Sequence, residues 1–160
     1  METQGRLLKL NTYSEEETIS LGIKLGSGLS GGDVIALAGE LGSGKTRFTK
    51  GVALGLGVSG NTVVTSPSFS LLNEYEGRCP LFHIDAYRLE SLADFEAAGL
   101  EEFFYQDGVV VMEWAERWPE LLPDHRLKVE LILMGDRQRE IKFSGSHPRA
   151  MTLIEGIERD

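Results

Sequence analysis

Two stretches of the chain are apolar without interruption. Val34-Ile35-Ala36-Leu37-Ala38 and Val109-Val110-Val111-Met112 lack polar alternation, as expected of strands buried on both faces of a parallel sheet. Leu81 to Tyr87 reads differently: Phe82, Ile84 and Ala86 fall on one face of a strand, His83 and Asp85 on the other. Further strands are predicted over Arg6 to Leu10, Val63-Val64 and Phe69 to Tyr75, with a turn at Gly77 to Pro80. Leu127 to Met134 and Arg139 to Phe143 flank Gly135-Asp136, a hairpin signal.

Helix signals lie between these strands. Ser14-Glu15-Glu16-Glu17 is a capping box. The helix it opens should run to about Leu25, with Ile19, Ile23 and Leu25 among its apolar contacts, before Gly26, Gly28, Gly31 and Gly32 break the pattern. A second helix should start near Lys45 and stop at Gly55-Leu56-Gly57. A third should cover Leu92 to Phe104 behind a cap at Ser91, with Gly99 as its point of interruption. No element is assigned after Ser144. The expected fold is a single α/β domain whose central sheet is mixed but mostly parallel, flanked by helices, with antiparallel strands toward the C-terminus.

Between the first apolar run and its helix stands Gly39-Glu40-Leu41-Gly42-Ser43-Gly44-Lys45-Thr46. It satisfies the phosphate-loop pattern G-x-x-x-x-G-K-[ST] in full. Glycines let the backbone curl so that several N–H groups meet one phosphate, and the helix aims its positive end at the same group. The nucleotide contacts are expected from Leu41, Gly42, Ser43, Gly44, Lys45, Thr46 and Arg47. Lys45 would reach the β- and γ-phosphates and Thr46 would ligate Mg2+. A second metal contact needs an acid at the end of a neighbouring strand. Glu113, just after the second apolar run, and Asp85 both qualify. Trp114 suits either the core or a stacking contact with a base.

Composition narrows the function classes. The chain has 160 residues and carries 25 acidic against 16 basic residues, for a net charge of −9. A protein that grips nucleic acid by itself needs a basic surface, so tight direct binding is not expected. No secretory signal or membrane-length apolar run is present, and one cysteine, Cys79, allows no internal disulfide. A cytoplasmic location is expected. A small-molecule kinase would need an arginine-bearing lid, and none is evident. A GTPase would need an N-K-x-D type motif, which is lacking. A nucleotide-gated binding module remains an alternative to an ATPase.

Four segments together resemble the bacterial TsaE (YjeE) ATPases: the phosphate loop, Ser66-Pro67-Ser68-Phe69, His83-Ile84-Asp85-Ala86-Tyr87-Arg88-Leu89, and Glu113-Trp114. Their order and spacing match from about Ser14 to Arg139. Departures are Ser68 for the family's threonine, Ala115 for a common proline, and Glu40 for a common aspartate. The resemblance implies a P-loop ATPase that supports formation of threonylcarbamoyladenosine beside the tRNA anticodon, working with a TsaD-type transferase and a TsaB-type subunit. It implies that Ser66 to Phe69 is a switch loop, that Asp85 is needed for activity, that Glu113 contacts magnesium, and that Trp114 lies by the adenine. It also makes Glu15 and Arg137 candidate nucleotide contacts.

Overall fold

The computed structural model describes residues 5–67 and 70–159. Uninterrupted apolar runs need cover on both sides, and both runs occupy the middle of a seven-stranded sheet ordered β1-β7-β6-β2-β5-β4-β3. The strands are β1 (Arg6–Thr12), β2 (Val34–Gly39), β3 (Leu72–Glu76), β4 (Pro80–Asp85), β5 (Val109–Glu113), β6 (Leu127–Leu133) and β7 (Arg139–Gly145). The helices are α1 (Glu15–Gly28), α2 (Lys45–Gly55), α3 (Leu92–Ala97) and α4 (Pro148–Glu158), with 3-10 turns at Leu100–Tyr105, Ala115–Arg117 and Pro119–Leu121. Strands β4, β5, β2 and β6 are parallel. At the edges β3 pairs antiparallel with β4, and β7 joins β6 and β1 antiparallel.

Successive residues of the central strands point to opposite layers. Ile35, Leu37, Val109 and Val111 enter a core under α1, α2 and α4, whereas Val34, Ala36, Val110 and Met112 enter one under α3 and the 3-10 turns. Both faces of β2 and β5 are therefore dry, and their carboxyl ends open onto one rim. In open α/β sheets that rim is where ligands bind.

Helix α1 runs three residues past the expected end, because its glycines are packing residues. Gly22 and Gly26 face Gly51 and Gly55 of α2 so closely that a Cβ at any of the four would fall against backbone of the other helix. A glycine read as a helix stop thus permits a helix contact. Three other expectations shift. Val63-Val64 forms no strand: Val63 is exposed, and it is the backbone of the next residue, Thr65, that is tied to the β3 side chains Asn73 and Tyr75. The strand expected from Phe69 begins at Leu72, Ser68 and Phe69 lying outside the described residues. The third helix does break at Gly99, whose φ of 71° is left-handed, and continues as a 3-10 turn.

The chain after Ser144, for which the sequence predicts no element, finishes β7 and forms α4. His147 caps that helix, Pro148 occupies its first turn, and Ala150, Leu153, Ile154 and Ile157 form its buried stripe. Arg149 ties it to the rest through a two-bonded ion pair with buried Asp33, at 2.8 and 2.9 Å. That pair holds the Arg149 guanidinium above its ordinary pKa against the opposing effect of burial. Among the described residues no helix is long and apolar enough to cross a membrane.

Candidate functional site

The carboxyl end of β2 turns directly into the phosphate loop. Gly42 and Gly44 take φ values of 81° and 106°, which a side chain would resist. Gly44 is the N-cap of α2 and offers no side-chain bond. The amides of the first helical turn (Lys45, Thr46, Arg47) consequently have no capping partner and open toward a cleft of about 850 Å³. Lys45 is only 6% exposed. Its ammonium donates to the Gly39 carbonyl at 2.5 Å and lies 4.1 Å from the ring centre of Trp114.

Parallel pairing of β4 with β5 sets Asp85 directly beside Glu113. Both are nearly buried, at 4% and 2% exposure. The Ser66 hydroxyl lies 2.8 Å from Asp85 Oδ2 and 3.2 Å from Glu113 Oε2. The other Asp85 oxygen accepts the Tyr87 amide at 2.9 Å. This hydroxyl bridge brings Ser66 onto the two acids.

No role is expected of His83 from the sequence, although it opens the segment His83 to Leu89 that carries the resemblance. It is fully buried, and its Nε2 lies 2.6 Å from Glu113 Oε2, while Nδ1 meets no partner among the described residues. A buried N–H left unbonded is costly. The arrangement therefore fits the tautomer that donates through Nε2 to Glu113. His83 orients the Glu113 carboxylate from behind. If this cleft turns over ATP, replacing His83 with alanine should lower that turnover about tenfold or more while leaving ADP affinity within about threefold, because the residue touches the acid and not the phosphate loop. Steady-state kinetics alongside calorimetric ADP binding would check this split.

The remaining expected contacts are distributed around the same cleft. Glu15, Leu41, Gly42, Gly44, Thr46, Arg47, Trp114 and Arg137 all line it together with Lys45, Asp85 and Glu113. Glu15 and Arg47 form an exposed ion pair at 3.6 Å, a geometry of little energetic weight. Trp114 has a left-handed φ of 65°, uncommon for a side-chain-bearing residue, and its ring centre is 5.0 Å from that of Tyr87. The strained turn carries the indole out of the strand and onto the cleft wall. Ser43 stands apart: it is buried, its hydroxyl has no partner among the described residues, and its amide donates to the Glu40 carbonyl.

Sequence reading also missed Arg139, which lines the cleft and bonds the loop backbone. Its only local signal was its place at the start of the last predicted strand, which says nothing of where that strand packs.

The chain is similar to characterised proteins over nearly its whole length. The family model described as threonylcarbamoyl adenosine biosynthesis protein TsaE matches residues 12–141. A tRNA threonylcarbamoyladenosine biosynthesis protein TsaE of Bacillus subtilis is 41% identical over 153 residues, covering 95% of this chain and 94% of the relative. The protein of that name from Treponema pallidum is 44% identical over 128 residues, covering 80% of this chain and 93% of the relative. The crystal structure of Bacillus subtilis YdiB superposes with a TM-score of 0.84 at 38% identity, over 98% of this chain and 97% of that one. A phosphate loop, two paired acids and a tryptophan on one cleft, in a chain matched from Thr12 to Ile141, place this protein in the TsaE family.

Proposed function

We propose that the protein binds Mg-ATP in this cleft and hydrolyses it, and that the turnover serves tRNA threonylcarbamoyladenosine formation in company with a TsaD-type transferase and a TsaB-type subunit. One observation carries the catalytic part: the buried Lys45 ammonium and two adjacent buried carboxylates share a single cleft at the end of a parallel sheet.

Phosphoryl transfer to water needs the γ-phosphate held, its charge offset and the water aligned. The free amides of the loop and Lys45 supply the first two. Trp114 offers an aromatic face for the adenine. Hard oxygen donors suit magnesium, and the Thr46 hydroxyl and Glu113 carboxylate both line the cleft. These two residues would hold the ion, whose positive charge would offset the charge of the phosphates. Among the described residues no three His, Cys, Asp or Glu side chains converge to hold a metal by themselves. Asp85, held on both oxygens by Tyr87 and Ser66, serves as the acceptor that aligns the attacking water once Ser66 turns away.

Asp85→Ala separates hydrolysis from binding. The variant is expected to bind ATP within about threefold of the parent and to lose phosphate release by about a hundredfold. Pull-downs of the TsaB–TsaD pair with ATP, with ADP and without nucleotide test the partner assignment. Association that ignores nucleotide would remove it and leave the ATP site standing. An Asp85→Ala variant that still supported tRNA modification in a reconstituted reaction would instead indicate a nucleotide-gated binding module.

A further inference from the structure

The chain leading from α2 to Ser66 is held by side chains and not by a strand ladder. Among the described residues no backbone–backbone hydrogen bond holds Val63 to Ser66. Upstream, the Lys50 ammonium of α2 donates to the carbonyls of Thr62 and Gly60, at 2.7 and 3.3 Å. Val64 is buried in the core that α2 covers. These two anchors fix the segment as far as Val64.

Thr65 is gripped from the edge of the sheet. Asn73 and Tyr75 stand two residues apart on β3, the edge strand beyond β4, and so point to the same side of it. The Thr65 amide donates to the Tyr75 hydroxyl at 3.4 Å, and Asn73 Nδ2 donates to the Thr65 carbonyl at 3.1 Å. Asn73 Nδ2 also reaches the Tyr75 hydroxyl at 3.4 Å, which closes the grip into a triangle. The Thr65 carbonyl shares one planar peptide with the Ser66 amide, so its direction sets where the Ser66 side chain leaves the backbone. That side chain ends on Asp85 and Glu113.

We propose that Asn73 and Tyr75 are positioning residues that form a latch: through Thr65 they keep the Ser66 hydroxyl on the two acids and so hold the cleft at rest. The latch rests on the ATP reading above, in which Asp85 aligns water only after Ser66 turns away, and it supplies what keeps Ser66 in place. Its three bonds are all between neutral groups and two of them are long, so each is weak beside a charge-assisted bond to a phosphate. Such a latch suits a state that must open. Basal turnover is slow while it is closed, because only molecules with Ser66 turned away align the water.

ATP turnover and ADP binding of the full chain test this in Asn73→Ala, Tyr75→Phe, Ser66→Ala and the Ser66→Ala/Asn73→Ala double variant. Tyr75→Phe removes the acceptor and keeps the ring in the core. Asn73→Ala is expected to raise turnover at saturating ATP by about three- to tenfold, with ADP affinity within about twofold. Tyr75→Phe should raise it less, and Ser66→Ala at least as much. Structural damage alone would not raise it. Adding Asn73→Ala to Ser66→Ala should change turnover no further, because the latch acts through that hydroxyl. In the ligand-free 15N spectrum the Ser66 amide resonance should move in both Asn73→Ala and Tyr75→Phe. Turnover that Asn73→Ala or Ser66→Ala leaves unchanged or lowers would overturn the latch. So would a further rise in the double variant, or an unmoved Ser66 resonance. If neither Asn73→Ala nor Tyr75→Phe folds, the pair is a determinant of the fold and the latch assignment fails. A parent chain that hydrolyses no ATP defeats the ATP reading instead, and the Ser66 resonance then decides the latch alone.

Discussion

Lys45→Ala is expected to reduce ATP turnover by about a hundredfold to a thousandfold with little change in the midpoint of thermal unfolding. The ammonium is nearly buried, and in a site of low effective dielectric one fixed cation offsets far more phosphate charge than it would in water. Its present partners are a carbonyl oxygen and the Trp114 ring. Deleting the cation forfeits a cation–π contact of about 0.5–2 kcal/mol but also relieves a desolvated charge, so the two effects on stability oppose one another. Phosphate release at saturating ATP, together with a thermal melt, checks both halves. Retained hydrolysis would place the chemistry outside this cleft.

Gly51→Ala should move stability in the direction opposite to helix propensity. At an open helical site alanine is favoured over glycine by about 1 kcal/mol. Gly156 of α4 is such a site, with nothing within 4 Å of a built Cβ, and Gly156→Ala is expected to stabilise by up to that amount. At Gly51 the new carbon would meet the Ile19 carbonyl oxygen and lie 2.9 Å from Gly22 Cα. Neither is a side chain that can swing aside, so α1 and α2 must part. A net loss of about 1–3 kcal/mol is expected, and Gly51→Leu should abolish the native fold. Urea titration of the two alanine variants reads the contrast directly, and equal shifts would show that the helix contact has no such tightness. Because α2 begins at Lys45, partial separation of the helices should also reach the nucleotide site. Gly51→Ala is therefore expected to weaken ADP binding as well.

The parts of the fold legible in advance were those whose cause is local. An uninterrupted apolar run demands burial on two sides wherever it ends up, so β2 and β5 were readable as central strands. Ser14 and Ser91 cap their helices through bonds to residues three places on, contacts that depend on nothing distant. Helix α4 was also readable in principle, since Pro148 and the spacing of Ala150, Leu153, Ile154 and Ile157 are local signals. The glycines of α1 misled because the same residue ends an isolated helix and permits close approach in a packed one. Val63-Val64 misled because β propensity is realised only when a neighbouring strand is there to pair.

The same division runs through the site. The phosphate loop is a chemical unit of eight consecutive residues, and its glycines, lysine and threonine have their meaning at that spacing alone. The sequence by itself thus determined where phosphate should bind and nominated Asp85, Glu113 and Trp114 as its neighbours. Tertiary structure decided that parallel pairing sets Asp85 beside Glu113, that His83 holds Glu113 from behind, that Ser66 bridges the acids, and that Arg139 grips the loop from the far wing of the sheet. Each of these contacts depends on strand order and register, and both are set by how two cores fill on either side of one sheet. No local run of residues encodes that outcome, because the burial that selects it is shared by the whole chain.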